Sequence, residues 1–211
     1  MTDRPRCAWI KDELMVRYHD KEWGVPLHND RKHFEFMVLD AFQAGLSWKT
    51  VLDKRANFRS AFCRFDPEKV ARFDRRRVQR LLGNPGIIRN RQKIESAIKN
   101  ARAFMTVQEV FGKFDHYIWQ FTGGRTIVNA WQSLKQLPAR TAESDAMSKD
   151  LKARGFSFVG STICYAYMQA AGMVNDHVVH CFRYKEVCRL ARDGSGETQS
   201  YGKKQRVRGL R

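Results

Sequence analysis

The chain has 211 residues, 43% hydrophobic and 29% charged, with 39 Lys and Arg against 22 Asp and Glu and a formal net charge of +17. That length suits one domain or two small lobes around a real core, and the basic excess suits a nucleic-acid or other anionic partner without bearing on fold. No apolar run approaches ~18 residues, no signal-peptide pattern opens the chain, and the five cysteines are odd in number, so a reduced, cytoplasmic protein without membrane insertion or disulfides is expected.

In chain order, the first chemistry-bearing residues are Cys7 and His19, the latter within Tyr18-His19-Asp20-Lys21-Glu22-Trp23-Gly24. Residues 31–44 set Phe34, Met37, Val38, Ala41 and Phe42 at i, i+3, i+4 spacing, which predicts an amphipathic helix with one apolar side. Asp40 is a lone carboxylate in this apolar run, a costly placement unless it is paired or used. A glycine-containing turn follows that can present Leu46 to solvent, with Trp48 just beyond. An acid, an aromatic and a protruding apolar residue are the parts of a base-flipping site. The wedge fills the vacated stack, aromatic faces hold the extruded base, and the acid binds its polar edge. On this segment alone, Asp40 reads equally as a buried cap or ion-pair partner.

Ser47 predicts the cap of a helix through about 62, and Asp66-Pro67 predicts an N-cap followed by proline at N1. Basic clusters run from Arg72 to Arg80 and through Arg89-Asn90-Arg91-Gln92-Lys93; each suits phosphate contact or a solvated helix face. A helix is expected from near Ile87 to Phe104, with Ile94, Ala97, Ile98 and Ala101 inward, then a loop-rich stretch between Gly123-Gly124 and Pro138. Ser144-Asp145 is expected to open a helix that stops at Gly155, and a further helix to cover about 161–171.

Between those two helices lies Phe156-Ser157-Phe158-Val159-Gly160-Ser161-Thr162-Ile163, which reads as a helix-hairpin-helix or as an ordinary αα-corner. In the first reading, backbone N–H groups and the second helix's N-terminus hold a DNA phosphate without side-chain charge. His177 and Cys181 follow at helical i, i+4 spacing. With Cys7 and His19 they make two thiolates and two imidazoles, the ligand set of a closed structural zinc that would staple the two ends of the chain together. From about Asp193 the chain turns polar and basic, and residues 193–211 are expected to form a disordered tail beyond a single domain at 1–192 built of two helical lobes. No segment sustains period-two alternation, so the fold is expected to be all-α.

Six motifs in order carry a resemblance: Cys7-Ala8-Trp9, Tyr18 to Gly24, Gln43-Ala44-Gly45-Leu46-Ser47-Trp48, Gly86-Ile87-Ile88-Arg89-Asn90-Arg91, Phe158-Val159-Gly160-Ser161-Thr162 and Val174-Asn175-Asp176-His177-Val178-Val179. Together they are similar to the 3-methyladenine DNA glycosylase I family of the helix-hairpin-helix glycosylase superfamily, from about Cys7 to Cys181. The resemblance implies an enzyme that flips 3-methyladenine out of alkylated double-stranded DNA and hydrolyses its N-glycosidic bond. The residues leave the oligomeric state open, and a monomer is expected because it suits an enzyme that wraps one site on a duplex. It implies a pocket of Tyr18, Asp40 and Trp48 with Trp9 and Trp23 as supporting walls, Leu46 as the wedge, and DNA contact at Phe158, Val159, Gly160, Ser161 and Thr162. It also implies zinc on Cys7, His19, His177 and Cys181, with His180 and Cys188 as nearby competitors.

Three residues depart from the family pattern. The pocket acid is usually glutamate and here is Asp40, Met15 stands where an aromatic is common, and Phe42 replaces a polar residue. Activity is therefore expected to persist with altered rate or lesion preference. The alternatives are a glycosylase for another alkylated purine or a non-catalytic DNA-binding module. Asp176, beside His177, is expected to orient that imidazole rather than to act in catalysis. The absence of lysine from Phe156 to Ala171 points to a monofunctional enzyme without a lyase step.

Overall fold

A computed structural model describes residues 4–193. The basic tail lies outside the described residues, except that Asp193 closes the last helix. Ten α-helices are described: α1 (Glu13–Lys21), α2 (Asp30–Gln43), α3 (Trp48–Ala61), α4 (Pro67–Ala71), α5 (Arg75–Leu82), α6 (Arg91–Phe111), α7 (Phe114–Trp119), α8 (Ala142–Ala153), α9 (Ser161–Ala170) and α10 (Phe182–Asp193). The helical expectation holds with one addition. Ile127–Val128 (β1) and Val174–Asn175 (β2) form a short parallel pair, Ile127 opposite Val174. Two residues per strand are too few to show alternation in sequence.

Local side chains set most boundaries. Ser47 accepts from the Thr50 N–H and caps α3, and Asp66 accepts from the Lys69 N–H ahead of Pro67 at the start of α4, both as expected. The long helix begins at Arg91, not near Ile87, because Asn90 accepts from the Lys93 N–H; it then runs on to Phe111. Ile87 is buried in the preceding loop instead. Likewise α8 begins at Ala142, because Thr141 and Ser144 cap each other reciprocally.

α2 departs from its expected one-sided pattern. Every residue from His33 to Phe42 is buried, and the helix packs against α3, α6, α7 and α9. A helix enclosed on all sides must settle its polar residues internally. Glu35 does so by accepting from Arg55 (2.7 Å) and Arg59 (2.9 Å), while Arg55 also grips Glu22 through two 2.8 Å bonds. His33 does so through Asp115 and Tyr167. Asp40 does not. Phe42 is fully buried edge-on to Phe58 (4.8 Å) and Phe62 (5.8 Å), so its departure from the family pattern lies in the α2–α3 core.

His177 and Cys181 do not sit on a helix. β2 holds Asn175 extended, the Asn175 side chain accepts from the His177 N–H (3.3 Å), and Trp131 O accepts from the Val179 N–H (2.9 Å). With those donors spent outside an i→i−4 ladder, residues 177–181 form a turn ahead of α10. The Phe182 N–H donates to Pro5 O (2.9 Å), which brings the N-terminal segment alongside.

Candidate active site and metal centre

Asp40 lies in the third turn of α2 and is 3% exposed, and its Oδ2 has no hydrogen-bond partner. Burial pushes its carboxyl well above the usual range, with only the distant pull of Arg55 acting the other way. It opens on a crevice lined by Met37, Leu151, Phe158, Val159, Ile163, Cys164 and Tyr167, which joins the candidate acid to the hairpin and to α9. Met37, Ile163, Cys164 and Tyr167 carry no signal in the sequence beyond ordinary helical periodicity. Burial pushes the Cys164 thiol up to about 12, so it is an inert wall.

Tyr167 is the more informative of these residues. Its hydroxyl lies 2.6 Å from His33 Nδ1, and His33 Nε2 lies 3.1 Å from Asp115 Oδ1. Because a carboxylate only accepts, His33 carries its proton on Nε2, and the Tyr167 hydroxyl donates to Nδ1. A third imidazole, His28, reaches the same carboxylate at 3.1 Å.

Tyr18 and Trp48 do not line the Asp40 crevice; they meet with ring centroids 5.2 Å apart. Burial, and next the charge of Asp40, push the Tyr18 phenol up. Trp9 extends this wall, 6.4 Å from Tyr18 and 5.2 Å from Trp23. Trp23 itself packs on His177 (4.6 Å) and His19 (6.1 Å), so it stands between the aromatic wall and the Cys/His group. The indole Nε1 atoms of Trp9 and Trp48 are buried without partners, as Asp40 Oδ2 is. Each such atom costs roughly 1–3 kcal/mol unless a ligand satisfies it.

Leu46 is one of the few large apolar side chains left exposed. The turn that carries it is closed by its N–H donating to Gln43 O (2.7 Å) and by Gln43 Nε2 donating to Leu46 O (2.8 Å). In the hairpin, α9 starts at Ser161, and its N-cap Gly160 offers no side chain, so its first N–H groups are open to an anion. Thr162 is exposed, Phe158, Gly160 and Ser161 are half-buried, and Val159 is buried, its carbonyl accepting from Ser148 Oγ (2.6 Å). Lys93, counted above in a basic cluster, is buried and serves no phosphate surface.

Cys7, His19, His177 and Cys181 converge, all buried, with their ligand atoms within 4.8 Å of one another. Cys181 Sγ lies 3.4 Å from His19 Nε2 and 3.6 Å from His177 Nδ1, and Cys7 Sγ lies 3.7 Å from His177 Nδ1. A tetrahedral zinc with ordinary Zn–S and Zn–N bonds sets sulfur and nitrogen about 3.6 Å apart, so the four residues fit that metal. The free ring nitrogens are also oriented: His19 Nδ1 meets Asp20 (2.7 Å), which Arg6 holds through three bonds, and His177 Nε2 meets Trp23 O (3.1 Å). The hydrogen bond from Cys7 holds Cys181 well down, and the same bond, with burial, holds Cys7 up. His180 is exposed and Cys188 accepts from Asn175, so neither joins the group.

Asp176 does not orient His177. Its carboxylate accepts from Asn129, Trp131, Tyr165 and Gln169 at 2.6–2.8 Å, which saturates it and ties the 129–131 loop to α9.

Residues 9–184 match the methyladenine glycosylase family model. The DNA-3-methyladenine glycosylase 1 of Escherichia coli (strain K12) is 49% identical over 180 residues, covering 85% of this chain and 96% of that protein. A crystal structure of 3-methyladenine DNA glycosylase I superposes with a TM-score of 0.82 at 49% identity, covering 84% of this chain and 98% of the other. The Staphylococcus aureus enzyme, solved for the structural basis of its 3-methyladenine recognition, gives a TM-score of 0.82 at 31% identity over 84% and 95% of the two chains.

Proposed function

The chain belongs to the methyladenine glycosylase family, and from that premise we propose that it is a DNA-repair hydrolase excising 3-methyladenine from alkylated DNA. The observation that carries the residue assignment is Asp40, a carboxyl 3% exposed and left with an unpaired Oδ2, beside a narrow crevice shared with the hairpin. Within the protein, Oδ2 of this carboxylate has no hydrogen-bond partner. A base carrying a positive charge supplies the partner, whereas neutral adenine does not, so the site favours the lesion by charge. Tyr18 and Trp48 present aromatic faces to the electron-poor ring, where cation–π attraction contributes ~0.5–2 kcal/mol.

The substrate brings much of its own activation. When the N-glycosidic bond breaks, both electrons pass to the cationic base, which departs neutral and needs no proton from the enzyme. Water adds its oxygen to the sugar carbon and releases a proton, leaving an abasic site. No lysine lies in the hairpin or the start of α9, which supports a monofunctional enzyme. Leu46 fills the gap left in the stack, and the uncapped start of α9, in a helix-hairpin-helix role, holds a phosphate of the duplex. One structural zinc on Cys7, His19, His177 and Cys181 holds the N-terminal segment, and with it Trp9 and Tyr18, against the C-terminal turn. Residues 1–192 act as one domain and as a monomer on DNA, in the cytoplasm.

The test is base release from methylated duplex DNA, with 3-methyladenine resolved from 7-methylguanine and Asp40→Asn run alongside. Release of 3-methyladenine by the wild type and its loss in the variant are expected. Unchanged single-turnover excision by Asp40→Asn would take Asp40 out of the chemistry. Release of a different purine would mean that the shorter acid has moved the lesion preference.

A further inference from the structure

One face of α6 touches both segments assigned to DNA. Lys93, Ser96 and Asn100, at i, i+3 and i+7, are all buried. Lys93 Nζ donates to Phe42 O (2.8 Å), in the last turn of α2, and to Ala44 O (2.6 Å), just past its end and ahead of Leu46. α2 has no basic residue in its own last turn, so this ammonium is what meets the negative end of its dipole. Two helical turns on, Asn100 grips Ser157 of the hairpin from both sides. Its Nδ2 donates to Ser157 O (2.9 Å), and its Oδ1 accepts from the Ser157 N–H (2.8 Å). Ser96 adds a bond between its hydroxyl and that of Ser157 (3.0 Å). Wedge turn and hairpin, more than a hundred residues apart in sequence, are thus anchored about 10 Å apart along a single helix axis.

We propose that Lys93, Ser96 and Asn100 are positioning residues for base extrusion, a rail that keeps the Leu46 wedge in register with the phosphate held at the hairpin. The inference rests on the excision reading above. Extrusion requires the wedge to enter the stack at the base step fixed by the phosphate contact, and neither segment alone sets that distance. The Lys93 ammonium is spent on two carbonyls, so it acts through the turn and not on the lesion.

The experiment compares wild type with Lys93→Met, which keeps the apolar stem, with Asn100→Ala, and with the double variant. Single-turnover excision is measured on 3-methyladenine paired with thymine and on the same lesion opposite an abasic site, where extrusion is cheap. Binding of free 3-methyladenine and thermal melting are followed in parallel. A misplaced wedge should slow excision of the paired lesion about tenfold to a hundredfold. The unpaired lesion should be restored to within about threefold of wild type, because its extrusion cost is already low. Free-base binding should be unchanged. The double variant should be no slower than the worse single variant, since either change breaks the same register, even where the losses in melting temperature add.

Equal slowing on both substrates, or loss of free-base binding together with excision, would mean that the residues shape the pocket itself, and would overturn the rail. Variants as fast as wild type on the paired lesion would overturn it while leaving the excision reading intact. A wild type that releases no 3-methyladenine from either substrate removes both. A covalent adduct trapped by borohydride at Lys93 would make it a nucleophile and overturn its positioning role.

Discussion

At Asp40, burial and charge pull in opposite directions, and the direction has a measurable sign. Its carboxyl is held well above the usual range by burial, so above about pH 4, where an unfolded aspartate is ionised, the folded state binds the extra proton. Its contribution to stability therefore falls as pH rises toward the folded value. Asp40→Asn removes that penalty. The variant should melt at or above wild type at pH 8, the advantage should shrink toward pH 4, and excision should be lost throughout. A variant less stable than wild type across the whole range would mean that the carboxyl has a partner. Gly160 gives a second test at this scale. A Cβ there would meet nothing within 4 Å, so Gly160→Ala should fold and melt as wild type. If the hairpin holds a phosphate as proposed, the added methyl would stand in the way of that close approach, and affinity for duplex DNA should drop several-fold. Unchanged affinity would move the phosphate site elsewhere.

The helices were legible in sequence wherever a local side chain decides the boundary. Ser47 and Asp66 cap where their chemistry says they should. The starts of α6 and α8 differ from the sequence expectation because several polar residues compete there, and Asn90 and Thr141 prevail. The turn at 177–181 was missed for a different reason: its N–H groups are taken by Asn175 and by Trp131, the latter distant in sequence. Contacts between elements are equally hidden. Gly172, at φ +67, ends α9 against the 24–28 segment, where a Cβ would sit 2.3 Å from the Val25 carbonyl carbon. Gly172→Ala should thus destabilise by well over about 1 kcal/mol, through backbone strain and the clash together. A melting temperature equal to wild type would mean that the 24–28 segment can move away freely.

Across the whole molecule, two clusters hold distant segments together. The Cys/His group joins residues 7 and 19 to 177 and 181. Purified protein should carry about one zinc per chain, and Cys7→Ser should lower both zinc content and melting temperature before it alters pocket chemistry. Elemental analysis finding no zinc in active protein would remove the metal. The second cluster is Tyr167, His33, Asp115 and His28, which ties α9, α2 and α7 together. Burial alone would raise the Asp115 carboxyl, but hydrogen bonds from His28 and His33 outweigh it and hold it far below the ordinary range. That lowered group stabilises the fold above about pH 4 and stops doing so as pH falls toward its folded value. Asp115→Asn should therefore melt below wild type at pH 7, with the gap closing in acid. A gap that stays constant would mean that the carboxylate's charge contributes nothing.

Residue types and their order along the chain, together with the family resemblance, were enough to name the candidate Cys/His set, aromatics, acid, exposed leucine and glycine-containing turn, and the structure brings the four Cys and His side chains together. They also determined the mainly helical class, since periodicity and caps are local, but not the short strand pair. Only the tertiary structure decided that α2 is enclosed on every side and leaves Asp40 Oδ2 without a partner. It likewise decided that Tyr167 walls the acid, that Asp176 is saturated away from His177, and that Lys93 leaves its basic cluster to grip the end of α2. Burial and long-range hydrogen bonds depend on which surfaces meet, and no sequence spacing encodes a meeting between residues 93 and 42 or 100 and 157.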